Sequence, residues 1–149
     1  MNMTDRPHSP ATSANAHLPG RRAWQAVFLV LALIPLASSI LALAIGTERF
    51  VGEADVDPAL DSTYRYFGGI YLGVALLALW CVARIEQRAD ALVFVTGSIF
   101  LGGVGRLLSI VDVGIPATST AVILVIELGA VVLALAMRRQ IRVAPPLAG

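Results

Sequence analysis

The chain has 149 residues, 57% of them hydrophobic, with a mean hydropathy of +0.78. Only 14% of residues are charged, which excludes an ordinary soluble domain, and a net charge of +1 offers no field for nucleic acid. The single cysteine, Cys81, excludes an intrachain disulfide framework and a cysteine-based zinc site, and no cofactor is expected.

Residues 1–20 are rich in Ser, Pro, Ala and Thr without periodicity. They predict a disordered tail, in which His8 and His17 have no partner. The first apolar run is residues 23–45, where Pro35 is expected to kink a helix near Ser38 and Ser39. Arg21-Arg22, this run and "ALA" at 42–44 have the ingredients of a signal peptide. The run is longer than an ordinary signal core, so it reads as a retained span.

The loop that follows carries five acidic residues and one arginine, Arg49. Its "DVDPALD" at 55–61 lacks calcium-loop spacing and reads as a solvated acidic segment. The second apolar run is residues 66–83, headed by Arg65 and containing the helix-contact motif "GIYLG" at 69–73. The third is residues 91–110, with Arg106 inside it. Its "GGVGR" lacks the lysine and hydroxyl residue of a phosphate loop. The fourth is residues 118–137, with Glu127 inside it, followed by a polar tail from residue 140. Each run is long enough to cross about 30 Å of hydrocarbon as a helix.

Arginine marks alternate connections. Arg21, Arg22, Arg84, Arg88, Arg138, Arg139 and Arg142 all flank one side, which the positive-inside rule makes the cytoplasm. Trp24 and Trp80 fall near that interface; Phe50, Tyr64 and Tyr66 fall near the other. The expected fold is all-α: a four-transmembrane-helix bundle over residues 21–139 with both termini cytoplasmic.

A charge inside a span is costly and points to a site. Helix rise puts Arg106 about 24 Å and Glu127 about 16 Å from the arginine-rich side. Side chains lean toward the helix N-terminus, so these two lean toward each other across the last hairpin. Arg65 falls about 28 Å from Arg84, at the opposite rim. Gly68 and Gly69 lie on the Arg65 face, and Gly102 and Gly103 on the Arg106 face. Ser98 and Ser109 also lie on the Arg106 face. Two arginines, each above a glycine patch, frame an outward-opening pocket floored by Glu127. The same residues also fit a buried structural pair with glycines that pack helices.

"YRYFGGIYLG" at 64–73, "LGGVGRLLSIVDVGIP" at 101–116 and "EL" at 127–128 carry a resemblance. Over about residues 25–138 the chain resembles domain-of-unknown-function family 4345, small four-helix bacterial membrane proteins. The resemblance implies that fold. It picks out Arg65, Gly68, Gly69, Gly102, Gly103, Arg106, Gly114, Pro116 and Glu127, and it implies no activity.

The leading expectation is an inner-membrane protein that binds an anionic or polar lipid or metabolite through Arg65 and Arg106. One alternative is a membrane enzyme using Glu127 as acid or base. Another is a small transporter or a subunit of a membrane complex. Membrane lipids are the expected partners, with a homo-oligomer as a further possibility and nucleic acid excluded.

Overall fold

The computed structural model describes residues 18–52, 55–115 and 118–143. The segment up to residue 17, with His8 and His17, lies outside the described residues, as do Pro116 and residues 144–149. The described residues form five helices: α1 (Arg21–Ile45), α2 (Glu48–Val51), α3 (Pro58–Ala83), α4 (Ala89–Val113) and α5 (Thr118–Val143). There is no strand among the described residues. The four long helices are long and apolar enough to cross a membrane.

Three of these helices extend past the hydropathy limits. The α3 helix starts at Pro58, two turns before the apolar run, because Asp57 caps it by accepting from Leu60 N–H at 2.7 Å. The α4 helix runs on to Val113 and ends at Gly114, whose φ of 114° breaks the helix. The α5 helix continues through the arginines to Val143. Hydropathy windows stop where charges begin; helices stop where backbone hydrogen bonding stops. The first helix, α1, continues through Pro35, and the Ser39 hydroxyl donates to the Pro35 carbonyl at 2.7 Å.

The helices pair as two hairpins, α1 with α3 and α4 with α5. Each pair is joined closely at one glycine. A Cβ on Gly68 would lie 2.8 Å from the Ala42 Cβ. One on Gly103 would lie 3.1 Å from Leu128 Cδ2 and 3.3 Å from Glu127 Cβ. Between the hairpins, contact is concentrated at the end that holds residues 18–21, 84–88 and 138–143, called here the terminal end.

Phe28, Cys81, Val82, Ile85, Ala89, Leu92, Ala134 and Met137 form one buried cluster there. Ala32, Ala78 and Val95 form a second, one turn further in. Leu18 is fully buried in the first cluster, and its N–H donates to Glu86 at 2.8 Å. Residues 18–20 thus pack with the fold, and the rest of the tail expected over 1–20 lies outside the described residues. Polar ties close the same end. Trp24 Nε1 donates to Gln140 at 3.0 Å, Gln25 donates to the Val82 carbonyl, Arg138 pairs with Asp90, and Arg88 lies over the Trp80 ring.

Away from this end the two buried clusters stop. Leu107, Leu108, Val111 and Val113 of α4 are exposed, as is Val125 of α5. Apolar side chains also cover the outer faces of α1 and α3, such as Val30, Ile40 and Leu76. Such surfaces suit hydrocarbon and not water.

Candidate site between the hairpins

Arg106 and Glu127 meet across the α4–α5 hairpin. Arg106 Nε donates to Glu127 Oε2 at 3.0 Å and more weakly to Oε1 at 3.3 Å. The contact requires α4 and α5 to approach closely, and Gly103, three residues before Arg106, permits that approach. The two partners are buried unequally: the Glu127 side chain is 8% exposed and that of Arg106 is 43% exposed. Only Nε is engaged. Among the described residues, both terminal nitrogens of Arg106 have no hydrogen-bond partner.

Those nitrogens belong to a residue that lines a cavity of about 440 Å³ between the two hairpins. All four long helices contribute to its wall. Ser38 and Ala42 come from α1, Phe67 and Tyr71 from α3, Ile99, Arg106 and Ser109 from α4, and Ile123 and Glu127 from α5. Toward the terminal end the wall is Phe28, Ala32, Ala78, Leu92 and Val95, the residues that also close the bundle. The wall is mostly apolar, and its volume falls in the range of small-molecule sites. Its hydroxyls are partly used up internally, since Ser39 and Thr96 donate to carbonyls of their own helices.

Tyr71 is the residue that the sequence reading missed. Its hydroxyl lies 2.5 Å from where a Cβ on Gly102 would stand, so glycine at 102 leaves room for the phenol. Gly102 is one turn before Arg106, which puts the Tyr71 hydroxyl on the Arg106 face of α4. It has no hydrogen-bond partner among the described residues. The signal was available: helix rise from Arg84 puts Tyr71 at about 20 Å, between the depths of Glu127 and Arg106. A tyrosine at that depth is outside the interfacial belt in which Tyr64 and Tyr66 were placed.

The family model described as "Domain of unknown function (DUF4345)" matches residues 23–137. The chain belongs to this family. All of the DUF4345 residues that meet in the cavity fall inside the matched span. No curated protein and no solved structure matches the chain.

Arg65 lies elsewhere in the DUF4345 fold. Its Nε donates to Asp61 Oδ2 at 2.7 Å, and its Nη1 donates to the Leu43 carbonyl. That carbonyl is in the last turn of α1 and has no partner within its helix. Asp61 in turn accepts from Thr47 N–H at 2.7 Å and Thr47 Oγ1 at 3.1 Å. Arg65 and Asp61 clamp the end of α1 to the start of α3, and Arg65 does not line the cavity. The frame of two arginines expected around one pocket is therefore replaced by Arg106 with Tyr71. Arg65 is kept away because Asp61, one turn earlier on its own helix, holds its guanidinium.

The four glycines of the expected patches divide in the same way. Gly68 and Gly102 line the cavity, and Gly103 joins α4 to α5. Gly69 is exposed, with nothing within 4 Å of an added Cβ, and Gly73 is the same. The two glycines of the "GIYLG" motif meet no other helix within the described residues of this chain.

Proposed function

We propose that this protein is a multi-pass protein of the cytoplasmic membrane that binds the polar head of a small amphiphile between its two hairpins. One observation carries the reading. Arg106 is anchored by Glu127 through Nε alone, so both terminal nitrogens are available to an acceptor in a mostly apolar cavity. A guanidinium is pre-organised for oxygen acceptors, and an anchored one loses less entropy on binding. The Tyr71 hydroxyl supplies a second polar contact at the same depth. The apolar wall suits the hydrocarbon part of the ligand.

The arginine-rich terminal end faces the cytoplasm in this reading, by the positive-inside rule. The opposite ends of the helices then lie in the outer half of the membrane. A ligand would enter from that side or from the surrounding lipid.

Native mass spectrometry of the gently solubilised protein tests the proposal. Wild type should carry a bound lipid or metabolite that is lost in Arg106→Gln while the variant still accumulates in the membrane. A folded Arg106→Gln protein that keeps the same adduct would overturn it.

A further inference from the structure

We infer that the ligand is a neutral amphiphile whose head offers carbonyl, ester or hydroxyl oxygens, and not an anionic lipid. The inference rests on the binding reading above and narrows it to a substrate class. It comes from the charge inventory of the cavity. Of the described residues that line it, only Arg106 and Glu127 carry formal charge. Both Glu127 oxygens face the Nε of Arg106, so the two side chains stand as an ion pair. The pair contributes one positive and one negative charge, which sum to zero.

An anion entering this cavity would leave a net negative charge among apolar walls. It would also sit close to the Glu127 carboxylate, which Arg106 already neutralises. Both effects oppose it where the dielectric is low. An anion could instead displace Glu127 from Arg106. That would strand a side chain that is only 8% exposed. A neutral oxygen acceptor meets neither penalty. It accepts from the terminal nitrogens of Arg106 and leaves the ion pair intact. The arginine that suggests an anion site by itself thus gives a different answer once its partner is counted.

The head would lie beside Arg106, Tyr71 and Ser109. The hydrocarbon would run along Ile99, Val95 and Leu92, and helix rise gives about 21 Å between Arg106 and Leu92. That path ends at the buried cluster, so a single chain of moderate length fits better than a bulky diacyl body.

The test compares two probes of equal chain length, monolauroylglycerol and dodecyl phosphate, added to the delipidated full chain in detergent. Retention of each is read by native mass spectrometry. Wild type should retain the neutral ester better by about tenfold or more, the scale set by leaving one net charge among apolar walls. Arg106→Gln should lose that retention. Glu127→Gln leaves the cavity with one positive charge and should shift preference to the phosphate. Preference of wild type for dodecyl phosphate would overturn the neutral-ligand inference and leave the binding reading standing. Retention of neither probe by wild type would count against both. Should Glu127→Gln fail to accumulate, the wild-type comparison decides alone.

Discussion

Arg106 reaches Glu127 through Nε, at 3.0 Å from Oε2, and this single engaged nitrogen ties α4 to α5 at mid-depth. The carboxylate is buried and the guanidinium is half-exposed toward the cavity. The pair therefore combines two roles: it holds the hairpin together and it presents donors. The roles can be separated by mutation. Arg106→Gln or Glu127→Gln leaves one charged or polar group without its partner, at a cost of about 1–3 kcal/mol. The double variant Arg106→Met with Glu127→Leu removes both charges and should recover most of that stability, yet bind no polar head. Thermal unfolding in detergent, run beside ligand retention, checks both halves. A double variant as unstable as the worse single variant would contradict the first half.

Gly103 and Gly69 look alike in the sequence and differ in the fold. A side chain at 103 meets Leu128 and Glu127, whereas one at 69 meets nothing within 4 Å. Gly103→Leu should force the hairpin apart, costing about 1–3 kcal/mol and breaking the Arg106–Glu127 contact. Gly69→Ala should lie within about 1 kcal/mol of wild type and on the stabilising side, through helix propensity. Unfolding midpoints of the two variants measured together provide the check. Marked destabilisation by Gly69→Ala would point to a contact that a second molecule supplies.

Tyr71 and Gly102 make a matched pair for testing the proposed ligand binding. Tyr71→Phe removes a hydroxyl that has no protein partner among the described residues, so stability should change by less than about 1 kcal/mol. Ligand retention should still fall several-fold if the hydroxyl meets the ligand. Gly102→Ala puts a methyl 2.5 Å from that hydroxyl and must displace it. It should reduce retention more than Tyr71→Phe does. Retention unchanged in both variants would remove Tyr71 from the site.

The clamp at the other end of the hairpin predicts a different phenotype. Gly46 has φ +69°, and a Cβ there would fall 2.0 Å from Asp61 Oδ1. Gly46→Ala should be destabilising by more than about 1 kcal/mol, from the left-handed backbone and the clash together. Gly52 also has positive φ, at 82°, but has open space around it, so Gly52→Ala should cost less. Arg65→Gln should lower the melting temperature and leave ligand retention as in wild type. Loss of retention in a folded Arg65→Gln protein would return Arg65 to the site.

The sequence exposed some levels of this organisation better than others. The four long helices were legible because a span needs about 20 apolar residues and nothing else in the chain supplies such runs. The meeting of Arg106 and Glu127 was legible too, from helix rise and the direction of side-chain lean. The place of Arg65 was not, although Asp61 stands one turn before it and offers an i, i+4 partner. Depth along the axis does not decide which neighbour wins the guanidinium. The glycine faces failed for a related reason. Periodicity puts Gly68 and Gly69 on one broad face, but which of them meets another helix depends on the rotation of α3 about its axis. That rotation is set by packing against α1, through the contact of Gly68 with Ala42.

The orientation of the helices gives the last prediction. Arg21, Arg22, Arg84, Arg88, Arg138, Arg139 and Arg142 lie at the terminal end, while Glu48, Asp55, Asp57 and Asp61 lie at the other. Among the described residues two of these arginines have acidic partners, Arg138 with Asp90 and Arg21 with Glu86, and the bias at this end remains strongly positive. The positive-inside rule counts arginines near span ends and gives little weight to acidic residues, so the terminal end should stay in the cytoplasm. Single cysteines in a Cys81→Ser background can report this. Cys81 is buried, so its replacement should not disturb the surface. Phe50→Cys, at an exposed position beside the acidic loop, should react with a membrane-impermeant maleimide in intact cells. Gln87→Cys, exposed in the arginine-bearing turn, should react only after the cells are opened. The reverse labelling pattern would invert the protein and make the cavity open toward the cytoplasm, which changes the pool of amphiphiles it can sample.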